Sequence, residues 1–251
     1  MGRPFMCERC RLENPAHQAQ PSRRGLLRLF GAAAAGFALP GAADAKDDKK
    51  PPKPQNAVSP DASLELLMKG NKRYVEGESR RHDFKREREA LVGGQNPYAG
   101  ILSCADSRIA PEYAFDSARG DLFVCRVAGN FANDDTIASM EYAVAILGTP
   151  LIMVLGHDAC GAVDATIKSL KDNTTLPGHL PSLVKSLTPA VNAVSGRPGD
   201  PLDNAIRQNV IDNVAKLKSA TPILGAAVEQ KKLKVVGGIY RLKDGKTEMI
   251  S

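Results

Sequence analysis

Apolar positions fall into two textures along the chain. Behind Asp61, a residue that caps helices, Leu64, Leu67, Met68, Tyr74 and Val75 recur at helical spacing and predict a first helix. Residues 83–92 read as a second, highly charged helix closed by Gly93-Gly94. The texture then changes. Tyr98–Ser103 (YAGILS), Leu122–Val127 (LFVCRV) and Leu151–Leu155 (LIMVL) are short unbroken apolar runs, the signature of strands buried on both faces. Helical periodicity returns over about 134–147 and 160–171, and that alternation predicts a parallel sheet. Residues 179–230 read as wholly helical with Pro breaks. Lys234–Tyr240 is a late strand, and Asp244-Gly245 signals a turn before a final short one. The predicted class is α/β: a mainly parallel sheet flanked by helices, with an N-terminal helical arm and a helical segment before the last strands. No internal repeat is found.

The N-terminus has a different pattern. Leu29–Leu39 runs 11 residues without a charge, behind Arg23-Arg24 and ahead of Pro40-Gly41 and Ala43-Asp44-Ala45. A charged start, a short apolar core and a small-x-small site make an export signal, and the paired Arg resembles a twin-arginine leader. Eleven residues fall short of the ~20 needed for a membrane span, so none is expected after cleavage. An uncleaved leader would anchor the chain instead. The expected setting is a bacterial periplasm. Cys7 and Cys10 lie inside this leader, and no second pair completes a site with them. Residues 46–60 are rich in Lys and Pro and read as an extended tether. The organisation expected is therefore leader 1–45, linker 46–60 and one folded domain, 61–251.

Composition adds one exclusion. With 43% apolar and 25% charged residues, the 251-residue chain is ordinary globular material. The net charge of +6 suggests a nucleic-acid partner only until it is located. Residues 1–54 hold most of the excess, while 55–251 carry 24 basic and 23 acidic residues. A body so nearly balanced offers little attraction to phosphates, and no nucleic acid is expected as partner.

Beyond the leader, three cysteines remain: Cys104, Cys125 and Cys160. An odd, sparse count is a poor disulfide framework. Cys104 ends the run YAGILS, His157 ends the run LIMVL, and Cys160 follows three residues later at a helix start. Ligands of open parallel sheets sit beyond the carboxyl ends of strands. If the two strands are neighbours, two thiolates and an imidazole meet there, a set suited to Zn²⁺ with a fourth position open. The competing readings are three buried residues that never meet, or a site closed by a fourth protein ligand. Asp106 and Arg108 follow Cys104 closely. A carboxylate there can reach a metal-bound water, and Arg108 can hold it in a two-pronged pair. Their plainer reading is a salt bridge in a loop.

Four motifs occur in order: Cys104-x-Asp106-Ser107-Arg108, Arg126-Val127-Ala128-Gly129-Asn130, Glu141-Tyr142-Ala143-Val144 and Gly156-His157-x-x-Cys160-Gly161. Together they resemble the β-class carbonic anhydrases, over about residues 61–250. The resemblance implies one Zn²⁺ per subunit on Cys104, His157 and Cys160, and reversible hydration of CO2 to bicarbonate and a proton. The nucleophile implied is a zinc hydroxide oriented by an Asp106–Arg108 dyad. It also implies Gln95, Phe123, Tyr142 and Gly161 in the substrate pocket, and a homodimer or higher homo-oligomer with clefts that cross between subunits. Asp106 would become a metal ligand only in a closed state. That state is associated in some members with a Trp where this chain has Ile101, so an open site is expected. Ala162 stands where the family usually has a second Gly. Two other functions remain open on these residues: a related zinc hydrolase of carbonyl sulfide or carbon disulfide, and a non-catalytic zinc-stabilised module.

Overall fold

The computed structural model describes residues 58–250. The leader, Cys7, Cys10 and most of the linker lie outside them. The first helix, α1 (Pro60–Glu76), is capped by Ser59, whose side chain accepts from the Ala62 amide, with Pro60 at the first helical position. Asp61 therefore sits in the first turn rather than at the cap, because Pro presets the helical φ just inside the start. Helix α2 (Phe84–Leu91) is capped by Asp83.

Five strands follow: β1 (Ala99–Ser103), β2 (Leu122–Arg126), β3 (Leu151–His157), β4 (Lys234–Tyr240) and β5 (Thr247–Met249). Their order in the sheet is β2-β1-β3-β4-β5. The first four are parallel, and β5 returns antiparallel on β4. Strands β1 and β3 are buried throughout, as their unbroken apolar runs require. The same expectation fails for β2, which is half-buried along most of its length. Among the described residues it is the sheet's edge, so one side lacks a neighbour. An apolar run does not distinguish an edge from a centre.

Along β3 the side chains alternate. Leu151, Met153 and Leu155 enter a core with Leu67 of α1, Ile101 and Phe115. Ile152 and Val154 enter the opposite core with Leu102, Leu187, Val210 and Leu217. This second face is covered by α4 (Asp134–Ala145), α5 (Gly161–Lys171), α6 (Leu180–Ala193), α7 (Pro201–Ser219) and α8 (Ile223–Glu229). The stretch expected to be helical over 179–230 is thus three helices. Pro201 opens α7, Pro222 caps α8, and Pro189 lies inside α6 without ending it. One short helix is not foreseen by periodicity: α3 (Pro111–Ala114), whose four residues are too few to show a period. Among the described residues, no helix is long and apolar enough to cross a membrane.

Candidate metal centre

Strands β1 and β3 lie side by side, with Ser103 paired to Leu155. Their carboxyl ends therefore leave the sheet together. Cys104 follows β1, His157 closes β3, and Cys160 caps α5 across a tight turn in which Ala159 takes φ 51°. One ligand atom from each lies within 4.8 Å of the other two. All three residues are buried, His157 completely. The reading in which they never meet is thereby excluded.

The imidazole is oriented for ligation. His157 Nδ1 is 2.8 Å from the Asp158 carbonyl, so it carries the proton and donates. This leaves the Nε2 lone pair facing the two sulfurs. Nε2 is buried and has no hydrogen-bond partner among the described residues. A buried polar atom without a partner needs an explanation, and a metal ion supplies one. Two soft sulfurs and one imidazole make a donor set that fits zinc.

The sulfurs are unequal. The hydrogen bond from Cys160 pulls the Cys104 thiol down, outweighing burial, and the Gly129 amide adds to it. Cys160 is pushed up in return. The Gly129 amide donates to Cys104 Sγ at 3.3 Å, while the amides of Ala162 and Val163 face Cys160 from the start of α5.

Asp106 is clamped beside this cluster. Its Oδ1 accepts from the Arg108 amide and Nε, each at 2.9 Å, and its Oδ2 accepts from Arg108 Nη2 at 2.6 Å. The guanidinium holds the Asp106 carboxyl far below the usual carboxylate range. Oδ2 is 3.9 Å from His157 Nε2. Arg108 Nη2 also donates to the Ala159 carbonyl at 3.2 Å, which ties the Cys104 loop to the His157–Cys160 turn.

The remaining expected residues are dispersed. Phe123 and Tyr142 meet, with ring centroids 6.2 Å apart and planes tilted by 36°. Gly161 faces open space. Gln95 lines a cavity of about 990 Å³ with Arg80, Tyr113, Asp116 and Leu122, to which none of Cys104, His157 and Cys160 contributes. Cys125 packs partly against the core and takes no part in the cluster. Two groups that motif reading left without a role do act here: the Gly129 amide, and Arg126. Arg126 Nε donates to the Cys104 carbonyl at 3.0 Å, and its Nη2 donates to the Asp106 and Ile109 carbonyls, each at 2.8 Å. A cation ending an otherwise apolar strand run was the available signal.

A parallel α/β sheet whose strand ends gather two cysteines and a histidine beside a clamped aspartate presents a candidate metal site where open parallel sheets place their ligands. The carbonic anhydrase family model matches residues 99–247. Carbonic anhydrase 2 of Mycobacterium tuberculosis is 37% identical over 191 residues, covering 75% of this chain and 92% of that protein. The carbonic anhydrase of Mycolicibacterium smegmatis is 36% identical over 196 residues, covering 77% and 94%. Among solved structures, the β-carbonic anhydrase CcaA superposes with a TM-score of 0.58 at 29% identity, covering 75% of this chain and 95% of that one. A tetrameric β-carbonic anhydrase of Sordaria macrospora, at 23% identity and TM-score 0.60, shares the fold. The chain belongs to the β-class carbonic anhydrase family and is an enzyme of the carbonate dehydratase type.

Proposed function

We propose that the chain is a zinc-dependent carbonic anhydrase that interconverts CO2 and water with bicarbonate and a proton. The observation that carries this reading is the buried Cys104–His157–Cys160 cluster, with the Asp106 carboxylate fixed beside it. These three residues would hold one Zn²⁺. When bound, zinc supplies a Lewis acid that lowers the pKa of a water toward neutrality, the reference case at about 7 being carbonic anhydrase itself in its three-histidine form.

The chain's own residues supply the rest. Asp106 stays ionised because Arg108 holds both its oxygens. It can therefore accept a hydrogen bond from the attacking water and aim that water's lone pair at the carbon of CO2. Arg108 fixes where the carboxylate stands by its second anchor on Ala159. Phe123 and Tyr142 offer the apolar contact that uncharged CO2 needs. Gln95 lies in a cavity apart from the cluster and is assigned to the cleft of a second copy. Homo-oligomerisation is also supported by β2, whose outer edge is unpaired among the described residues, and by Ile146 at the C-cap of α4, which is 67% exposed. Residues 1–45 are proposed as an export leader to the periplasm, with 46–60 as the linker to the catalytic domain. Stopped-flow CO2 hydration, with zinc content measured on the same sample, tests the reading. Stoichiometric zinc with no hydration above the uncatalysed rate would overturn it in favour of the non-catalytic module or the related hydrolase.

A further inference from the structure

Helix α7 turns two buried asparagines toward the loop that follows β2, residues 129–132. Asn209 and Asn213 are 2% and 6% exposed, in a row of core residues that includes Ile206, Val210 and Leu217. Amides on an apolar face are costly unless they are satisfied. Here they are satisfied in one direction. Asn209 Nδ2 donates to the Gly129 carbonyl at 2.8 Å. Asn213 Nδ2 donates to Asn209 Oδ1 at 3.0 Å, which orients the Asn209 amide, and also to the Asn209 carbonyl at 2.7 Å. Asn213 Oδ1 accepts from the Ala132 amide at 2.6 Å. Lys216, the next residue along the same face, donates Nζ to the Ala132 carbonyl at 2.6 Å. Three side chains spaced four and three apart thus grip residues 129–132.

That loop is in a conformation that needs gripping. Gly129 has φ +87° and Asn130 has φ 41°. A Cβ on Gly129 would come within 2.9 Å of Leu187. Two successive left-handed residues persist only where the surroundings over-determine them. The Gly129 amide is also the group that donates to Cys104 Sγ.

We propose that Asn209 and Asn213 are positioning residues for the reaction: the α7 ladder holds the Gly129 amide on the Cys104 sulfur, and this N–H···S bond sets how strongly that thiolate donates to the metal. The inference rests on the zinc reading above. Two thiolates cancel the formal charge of Zn²⁺ and blunt it as a Lewis acid. A hydrogen bond to one of them draws electron density off the sulfur and restores part of the lost pull. Such bonds to ligand sulfur tune metal sites generally.

The test uses full-length protein loaded with Co²⁺, whose thiolate-to-metal charge-transfer band reports the sulfur directly. Asn209→Asp keeps the side chain's size but removes the donor to Gly129. Its band is expected to move to longer wavelength, because an unbonded sulfur gives up charge more easily. In the zinc-loaded form, kcat is expected to fall about tenfold with KM nearly unchanged. Gln208→Ala, on the outer face of α7, is expected to match wild type in both readouts. If Asn209→Asp does not fold by circular dichroism, Asn213→Ser carries the same expectation, since it frees both Asn209 and the Ala132 amide. An unmoved band and unchanged kcat in the folded variant would overturn the ladder's role. Absence of the band in the wild-type protein would overturn the metal site itself, before any variant is compared.

Discussion

Replacing Arg126 by Ala should weaken both the fold and the reaction, by amounts that its three contacts set. The guanidinium reaches the Cys104, Asp106 and Ile109 carbonyls at 3.0, 2.8 and 2.8 Å. A hydrogen bond from a charged donor contributes about 1.5–3 kcal/mol net when buried. Arg126 as a whole is exposed, so about 1 kcal/mol apiece is the better figure, and the loss is about 3 kcal/mol. For a domain of this size that lowers Tm by about 6–12 °C. Arg126→Lys keeps one donor group where three bonds were made, and should recover about a third. The loop so released carries Cys104, Asp106 and Arg108, so kcat/KM should fall about 10–100-fold in the Ala variant. Urea unfolding at fixed protein concentration, followed by stopped-flow hydration on the same preparations, checks both halves. An Ala variant within about 0.5 kcal/mol of wild type, the range of an ordinary surface change, would refute the argument.

Cys160→Ser should lose zinc by elemental analysis together with activity, because a hydroxyl is a poor zinc ligand at neutral pH. Arg108→Ala should keep stoichiometric zinc and lose about 10–100-fold in rate, since it orients Asp106 without touching the metal. Asp116→Asn tests pH dependence away from the Cys104–His157–Cys160 cluster. Burial pushes the Asp116 carboxyl up, but Arg73 at 2.5 Å and the Arg80 amide at 2.9 Å outweigh it, and the pKa lies below the ordinary 3.8. Its contribution is therefore complete above that unfolded value and is lost as pH falls through the folded one. Wild type should be more stable than Asp116→Asn in urea at pH 7, and their midpoints should converge below about pH 4. Arg23→Lys combined with Arg24→Lys should leave activity in the cytoplasmic fraction of a bacterial host, and undiminished periplasmic activity would show another export route.

Much of the fold was legible because buried parallel strands announce themselves as unbroken apolar runs. The β1 and β3 runs predicted their strands to within a residue or two, and His157 and Cys104 fell at their ends. What periodicity does not encode is order across the sheet. That β1 and β3 are neighbours is a fact of pairing between Ser103 and Leu155, and only this pairing brings the two cysteines together. The exposure of β2 is hidden from the sequence for the same reason. Arg126, Asn209 and Asn213 were harder still. Their partners are mostly backbone carbonyls and amides, which leave no mark in a string of side chains. Gln95 was placed in the pocket by resemblance, and within one chain it lines a different cavity.

The join between β1 and β3 also sets when the cluster can exist. Cys104 and Cys160 stand 56 residues apart in sequence, separated by α3, β2, α4 and β3. Parallel pairing closes a long loop before any contact rewards it, so it belongs to the slower events of folding. A chain with only its local structure formed holds at most the His157–Cys160 pair, with Cys104 still apart. On the proposed zinc reading, metal capture would be a late checkpoint: full affinity would appear when the central strands dock, and the ion would then stabilise that docked topology against the unfolded ensemble. Delaying strand docking should delay metal uptake by the same interval.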